Sequence, residues 1–242
     1  MESVGKISLF SGDEIEMTLK QGGTVSSRQK CWVLGGGRFG RRAVELLRKS
    51  EPSSEIVVID RLPDRDLPID IETVCADGVE WFTENFSPAA RVNKIVPALP
   101  IHLAADWIIR TFANEQRIVR SVEIPDELLH HFPHPVFLSP SRLVTSYADF
   151  ICPSNCSEPD DFCTYTKKPR PLPLDRLLGT VVIENFVPLI LTSRQFAPGV
   201  GGFFPEDLWS ILGKARLLSG TRLLIGTACK CHGIVDGLCH NM

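Results

Sequence analysis

The sequence predicts an α/β protein, a doubly wound parallel sheet with a Cys-rich irregular insertion and a final βαβ unit. Two observations carry this: short apolar runs of strand length, and stretches of helical spacing between them, which together indicate βαβ units. The chain has 242 residues, 43% hydrophobic and 23% charged. That composition is too apolar for disorder and suits one large domain or a domain with an appended module. A net charge of −3 argues against phosphate backbones as the main partner, so no nucleic acid is expected. No apolar run reaches the roughly 18 residues of a spanning helix, so no membrane insertion is expected. The first thirty residues lack the apolar stretch of a signal peptide, and a cytoplasmic location is expected.

The elements follow in order. Residues 1–28 read as a polar N-terminal arm after a short apolar stretch, Ile7 to Phe10. Cys31 to Leu34 is an apolar strand ending in glycines, and Arg38 to Lys49 carries Phe39, Ala43, Leu46 and Leu47 at helical spacing. Ile56 to Asp60 is a second buried strand, Glu72 to Ala76 a third, and Lys94 to Ala98 a fourth. Val79 to Phe86 and Leu99 to Phe112 read as helices between and after them. Arg117 to Ile124 and Pro135 to Tyr147 read as extended. A Cys/Pro-rich insertion over 149–174 then separates the first unit, 29–148, from a C-terminal α/β unit over 175–242. In that last unit Thr180 to Ile183, Val187 to Leu191 and Arg222 to Thr227 read as strands, with Glu206 to Leu218 as a helix.

Gly35-Gly36-Gly37-Arg38-Phe39-Gly40 matches G-x-G-x-x-G between a strand and a helix, the context a dinucleotide site requires. Gly35 permits the tight turn, Gly37 leaves the backbone bare for a pyrophosphate, and Gly40 lets the helix pack closely. Arg38 and Phe39 lie where the helix N–H groups face the anion. Asp60, 20 residues past Gly40 at the end of the second strand, is placed to accept from ribose hydroxyls. An acid there repels a 2′-phosphate and favours NAD(H) over NADP(H), although Arg61 and Arg65 follow it. S-adenosylmethionine sites use a similar turn and acid, so methyl transfer stays open, as does a turn that merely packs.

The stretch from Lys30 to about Phe112 resembles the NAD-binding Rossmann domain of the Trk-type potassium-uptake regulators, the TrkA-N (RCK N-terminal) family. The matching residues are VLGGGRFGRRAVELL at 33–47, VVID at 57–60 and VCADGVEWF at 74–82. The resemblance implies a Rossmann-like fold and a small residue–Asp pair after the third strand, here Ala76-Asp77, in the nucleotide site. It also implies a regulatory, ligand-sensing alternative to catalysis.

Eight cysteines in a chain without a secretory signal point to metal or redox chemistry rather than structural disulfides. Cys31 and Cys75 sit in apolar runs and are expected to be buried. The others group as Cys152, Cys156 and Cys163, then Cys229, Cys231 and Cys239. The spacing C-x3-C-x6-C supplies three thiolates, and Cys229 or Cys231, or His232 in the case of zinc, a fourth donor, for zinc or an iron–sulfur cluster. A reactive pair at Cys229 and Cys231, or inert packing, are the alternatives.

His102, just beyond the fourth strand, is a candidate acid/base or substrate-binding group. The Arg194 to Gly202 segment is a candidate anion loop or a flexible connection. His130, His131 and His134 read as a solvated loop, and Lys167, Lys168 and Arg170 as a wet basic surface. The expected function is an NAD(H)-binding oxidoreductase or nucleotide sensor, whose partners are the dinucleotide and either another protein or a second copy of the chain.

Overall fold

The computed structural model describes residues 28–62, 67–183 and 185–241. The expected N-terminal arm and Arg65 lie almost wholly outside them.

Strand β1 (Lys30–Leu34) is followed by helix α1 (Arg38–Ser50), β2 (Glu55–Asp60), β3 (Glu72–Cys75), α2 (Gly78–Asn85), β4 (Lys94–Pro97) and α3 (Leu103–Asn114). The four strands form one parallel sheet in the order β3-β2-β1-β4. β1 and β2 lie inside it, and Ile56 to Ile59 are all buried, which is why their sequences read as continuous apolar runs. α1 buries Gly40, Ala43, Val44 and Leu47 at the spacing of one helix face and carries Arg48 and Lys49 in its last turn, where they oppose the dipole. β3 is an edge strand, and Cys75 is exposed rather than buried, because one side of the strand has no neighbour. Cys31, in β1, is buried, and burial pushes its thiol up to about 12.

The second half contains β5 (Ile118–Ser121), a 3-10 turn at Asp126–His131, β6 (Val136–Ser139), β7 (Arg142–Ser146), α4 (Leu174–Thr180), β8 (Phe186–Thr192), β9 (Arg194–Ala197), β10 (Val200–Gly202), α5 (Pro205–Leu217), β11 (Arg222–Ala228) and β12 (His232–Asn241). β8 and β11 are parallel across α5, which is the expected βαβ unit. α5 starts with Pro205 in its first turn beside Glu206 and Asp207, and ends with Lys214 and Arg216, each at the end its charge or missing N–H favours. The remaining pairings are antiparallel: β12 runs against β11, against β7 through its first half, and against β5 through its second. The protein is therefore mixed α/β with several sheets. β12 was not expected from the sequence, since its two glycines and His232 interrupt any apolar run. The expected strand at Thr180 to Ile183 is instead the end of α4, whose Leu174 and Leu178 are buried, and its exit.

The largest of three buried apolar clusters crosses from the parallel sheet to the mixed one. Trp32, Phe82, Phe86 and Trp107 pack with Leu208, Leu223 and Ile225. Phe86 stacks on Trp209 with centroids 4.7 Å apart, and Trp107 meets Trp209 edge-on at 5.3 Å. Such pairs contribute roughly 0.5–1.5 kcal/mol each beyond their buried area.

Candidate functional site

The glycine turn leaves β1 in the interior of the parallel sheet. Gly35 has φ +107°, and a Cβ there would lie 2.6 Å from the Ala98 carbonyl oxygen, so a side chain is excluded twice over. A Cβ on Gly40 would lie 1.9 Å from the Gly35 oxygen. A Cβ on Gly37 would meet nothing within 4 Å. Gly35 and Gly40 are thus required by packing, whereas Gly37 opens onto free space at the head of α1, which has no side-chain cap. Asp60, at the end of β2, turns its carboxylate to this bend. Oδ2 accepts from the Gly36 N–H at 2.6 Å and Oδ1 from the Leu62 N–H at 2.8 Å, and each oxygen retains a lone pair for a further donor.

Other residues expected here have neighbours of their own. Asp77 caps α2 by accepting from Val79 N–H and Glu80 N–H at 3.1 and 2.9 Å. Those bonds, then Arg61, hold its carboxyl below the usual range. Arg61 pairs with Asp77 at 2.5 Å. Arg38 lies over the ring of Phe39 at 5.0 Å, and Phe39 is 62% exposed.

Two cavities adjoin the turn. One, of about 470 Å3, is lined by Val96 to Pro100 at the end of β4 and by Phe39, Gly199 and Gly201. The other, of about 250 Å3, is lined by Cys152, Cys156, Cys163, Cys229, Cys231 and His232, with Phe39, Gly199 and Gly201 again in its wall. Five of the six clustered cysteines therefore meet at one place; Cys239 lies in β12, outside it. The β9–β10 hairpin and α1 hold the Cys loop there. Arg42 donates to the Ser154 oxygen at 2.9 Å, and Gln195 Nε2 to the Cys156 oxygen at 2.8 Å. A Cβ on Gly199, at the hairpin tip with φ +76°, would lie 1.9 Å from the Ser154 oxygen. The expected anion loop is thus a docking hairpin, and its Arg194 pairs with Asp207 at 3.1 Å.

The thiols differ electrostatically. Burial, then Cys156 and Cys163 nearby, raises Cys152. Hydrogen bonds from Thr166 lower Cys163. Burial, then Glu158, pushes Cys229 up to about 12, and burial raises Cys231 despite Arg170. Burial lowers His232, whose Nδ1 lies 3.7 Å from Cys229 Sγ. Among the described residues no three Cys, His, Asp or Glu side chains are gathered into a ready ligand set. Arg170, read from the sequence as wet surface, instead reaches Cys231 Sγ and donates to the Pro159 oxygen at 3.0 Å. Its neighbours are set by the loop's turns, which sequence spacing does not reveal.

His102 is 2% exposed. Its Nδ1 lies 2.6 Å from Asp236 Oδ2 and its Nε2 2.8 Å from Thr227 Oγ1. Arg142 Nε donates to Asp236 Oδ1 at 2.7 Å, and its Nη2 to Asp106 at 2.9 Å. Both imidazole nitrogens are engaged, so His102 reaches a substrate only through Thr227, which lines a third, open cavity of about 730 Å3 together with Cys229 and His232. Asp236 and Thr227 were not legible from the sequence, because β12 shows no apolar run that would mark its acid as buried.

The family whose model matches residues 104–241 is described as "AF_1314_C: Uncharacterized protein, C-terminal domain". The chain belongs to this family. A relative from Archaeoglobus fulgidus (strain ATCC 49558 / DSM 4304 / JCM 9628 / NBRC 100126 / VC-16), titled "Uncharacterized protein", is 30% identical over 221 residues, covering 85% of this chain and 97% of its own. The likeness to that relative thus extends beyond the family's matched segment into the glycine-turn half. No solved structure matches. No helix among the described residues is long and apolar enough to cross a membrane.

Proposed function

We propose that the chain is an NAD(H)-binding, redox-linked protein whose glycine-turn half is a Rossmann-like, TrkA-N-type dinucleotide unit. One observation carries the reading: the open space over Gly37, at the uncapped head of α1, with the Asp60 carboxylate beside it. A pyrophosphate there meets free N–H groups and the positive end of the helix. The strand order β3-β2-β1-β4 supports it, since ligands of open parallel sheets bind beyond the strand ends where the order reverses. Asp60 takes the ribose hydroxyls and repels a 2′-phosphate. Arg61 does not offset that charge, because it is paired with Asp77.

From the turn the dinucleotide runs towards the open, mainly apolar cavity over Val96 to Pro100. When bound, the nicotinamide supplies or accepts hydride. Phe39 and Gly199 form the wall between this cavity and the thiols, which makes the thiol cavity the nearest redox partner on the chain.

The test is titration with NADH, NADPH and S-adenosylmethionine, following tryptophan fluorescence. Gly37→Val places its Cβ in open space, so the variant stays folded, its stability lowered only by the about 1 kcal/mol that replacing glycine at a helix N-cap costs. It loses at least about tenfold in NADH affinity, the weight of one good charge-assisted contact. Asp60→Ala narrows the preference for NADH over NADPH. Unchanged affinity in Gly37→Val, or binding of S-adenosylmethionine alone, overturns the reading. NADH oxidation with an acceptor marks an oxidoreductase; binding without turnover marks a sensor.

A further inference from the structure

We propose that the thiol cavity holds a [4Fe–4S] cluster ligated by Cys152, Cys156, Cys163 and Cys231. The inference deepens the reading of that cavity as a redox centre and rests on it for the cluster's role; the ligation itself needs no dinucleotide.

The thiols come from two places far apart in sequence, the 152–163 loop and the turn between β11 and β12, yet they line one hollow. Its size selects the occupant. Tetrahedral zinc, with Zn–S near 2.3 Å, brings its four sulfurs within about 4 Å of one another and leaves no interior. Here five thiols stand in the wall of a hollow of about 250 Å3, shared with Phe39, Tyr165 and Arg170, which has room for a core of several metals and sulfides. Among the described residues the thiols are not gathered into a ready ligand set, so loading draws them together around the core.

The charge balance fits as well. Four thiolates around a 2+ core carry a net charge of −2. The Arg170 guanidinium lies against Cys231 Sγ and is anchored by the Pro159 and Phe162 carbonyls. The Glu158 N–H donates to Cys156 Sγ at 3.4 Å, and donors to sulfur stabilise such clusters. Cys229 is the thiol left over. Its Sγ also accepts from the Cys231 and His232 N–H groups at 3.5 and 3.4 Å, but the Glu158 carboxylate stands beside it and would repel a thiolate ligand. Assembly from two ferrous, two ferric and four sulfide ions transfers no electrons and releases four thiol protons.

The test is anaerobic incubation of the full chain with iron and sulfide, followed by desalting. The expected result is about four irons and four sulfides per chain, broad visible absorption, and a paramagnetic signal after one-electron reduction. Cys152→Ser, Cys163→Ser and Cys231→Ser each lose most of the iron, while Cys75→Ser and Cys239→Ser retain it. Thermal melting of each metal-free variant separates misfolding from lost ligation; for a variant that melts early, Cys→Ala at the same position replaces it. Iron below one per chain, equal loss in Cys231→Ser and Cys239→Ser, or one tightly held zinc in place of iron overturns the proposal. NADH titration of the loaded protein reads the dinucleotide separately: a cluster without NADH binding sinks only the earlier reading, and NADH binding without a cluster sinks only this one.

Discussion

His102 Nδ1 lies 2.6 Å from Asp236 Oδ2, joining the turn after β4 to β12 across 134 residues. Both side chains are nearly sealed from water, at 2% and 5% exposure. Charged and polar groups persist in such a place only when every valence finds a partner. Thr227, Arg142 and Asp106 supply those partners.

Removing one member leaves the others stranded. Asp236→Ala is expected to cost about 3–5 kcal/mol, the penalty for breaking a buried pair from one side. Urea unfolding followed by circular dichroism measures it. A loss under about 1 kcal/mol would show that the network is not a latch.

The glycine turn separates packing from binding. Gly40→Ala forces a methyl group against the Gly35 carbonyl and is expected to lower the melting temperature by several degrees. Gly37→Ala meets nothing with its methyl group and lowers it less, through only the roughly 0.5–1 kcal/mol that alanine costs at a helix N-cap. Differential scanning calorimetry of the pair decides, and equal melting points would refute the assignment.

Thiol reactivity follows the local fields. In metal-free protein Cys163 has its pKa lowered by the Thr166 hydrogen bonds, so more of it is thiolate at a given pH. Burial and Glu158 hold Cys229 protonated up to about 12. Among the cavity thiols, iodoacetamide at pH 7–8 is therefore expected to label Cys163 first and Cys229 last, while Cys31, buried in β1 with its thiol pushed equally high, stays unlabelled in the folded protein. Peptide mass mapping over time reads the order, and its reversal would contradict these surroundings.

Asp77 caps α2, and Asp77→Ala is expected to cost about 1 kcal/mol. The folded-state pKa is depressed below the ordinary 3.8. The contribution is therefore complete above the unfolded value and disappears as pH falls through the folded one. Unfolding free energies of wild type and variant should differ at pH 7 and converge towards pH 2.

Much of the parallel sheet was legible because its strands are central and therefore uniformly apolar, and because glycines mark the bend after β1. Cys75 was misplaced since an apolar run does not reveal whether a strand lies at an edge. β12 was missed because Gly233, Gly237 and His232 break its pattern, while its register depends on three distant partners. The gathering of Cys152, Cys156, Cys163, Cys229 and Cys231 was legible as a grouping; what seats it was not. Gln195, Arg42 and Gly199 hold that loop through main-chain oxygens, which leave no trace in residue type.

The family's matched segment begins at Ala104, two positions after His102. A fragment cut at that point would carry Thr227 and Asp236 but leave their imidazole behind, and would bare Trp107 and Trp209 where Phe86 had covered them. Grafting the carboxyl-terminal portion onto a foreign carrier therefore demands a replacement histidine and an aromatic lid. The matched segment thus starts inside α3, in the middle of a core that both sheets share.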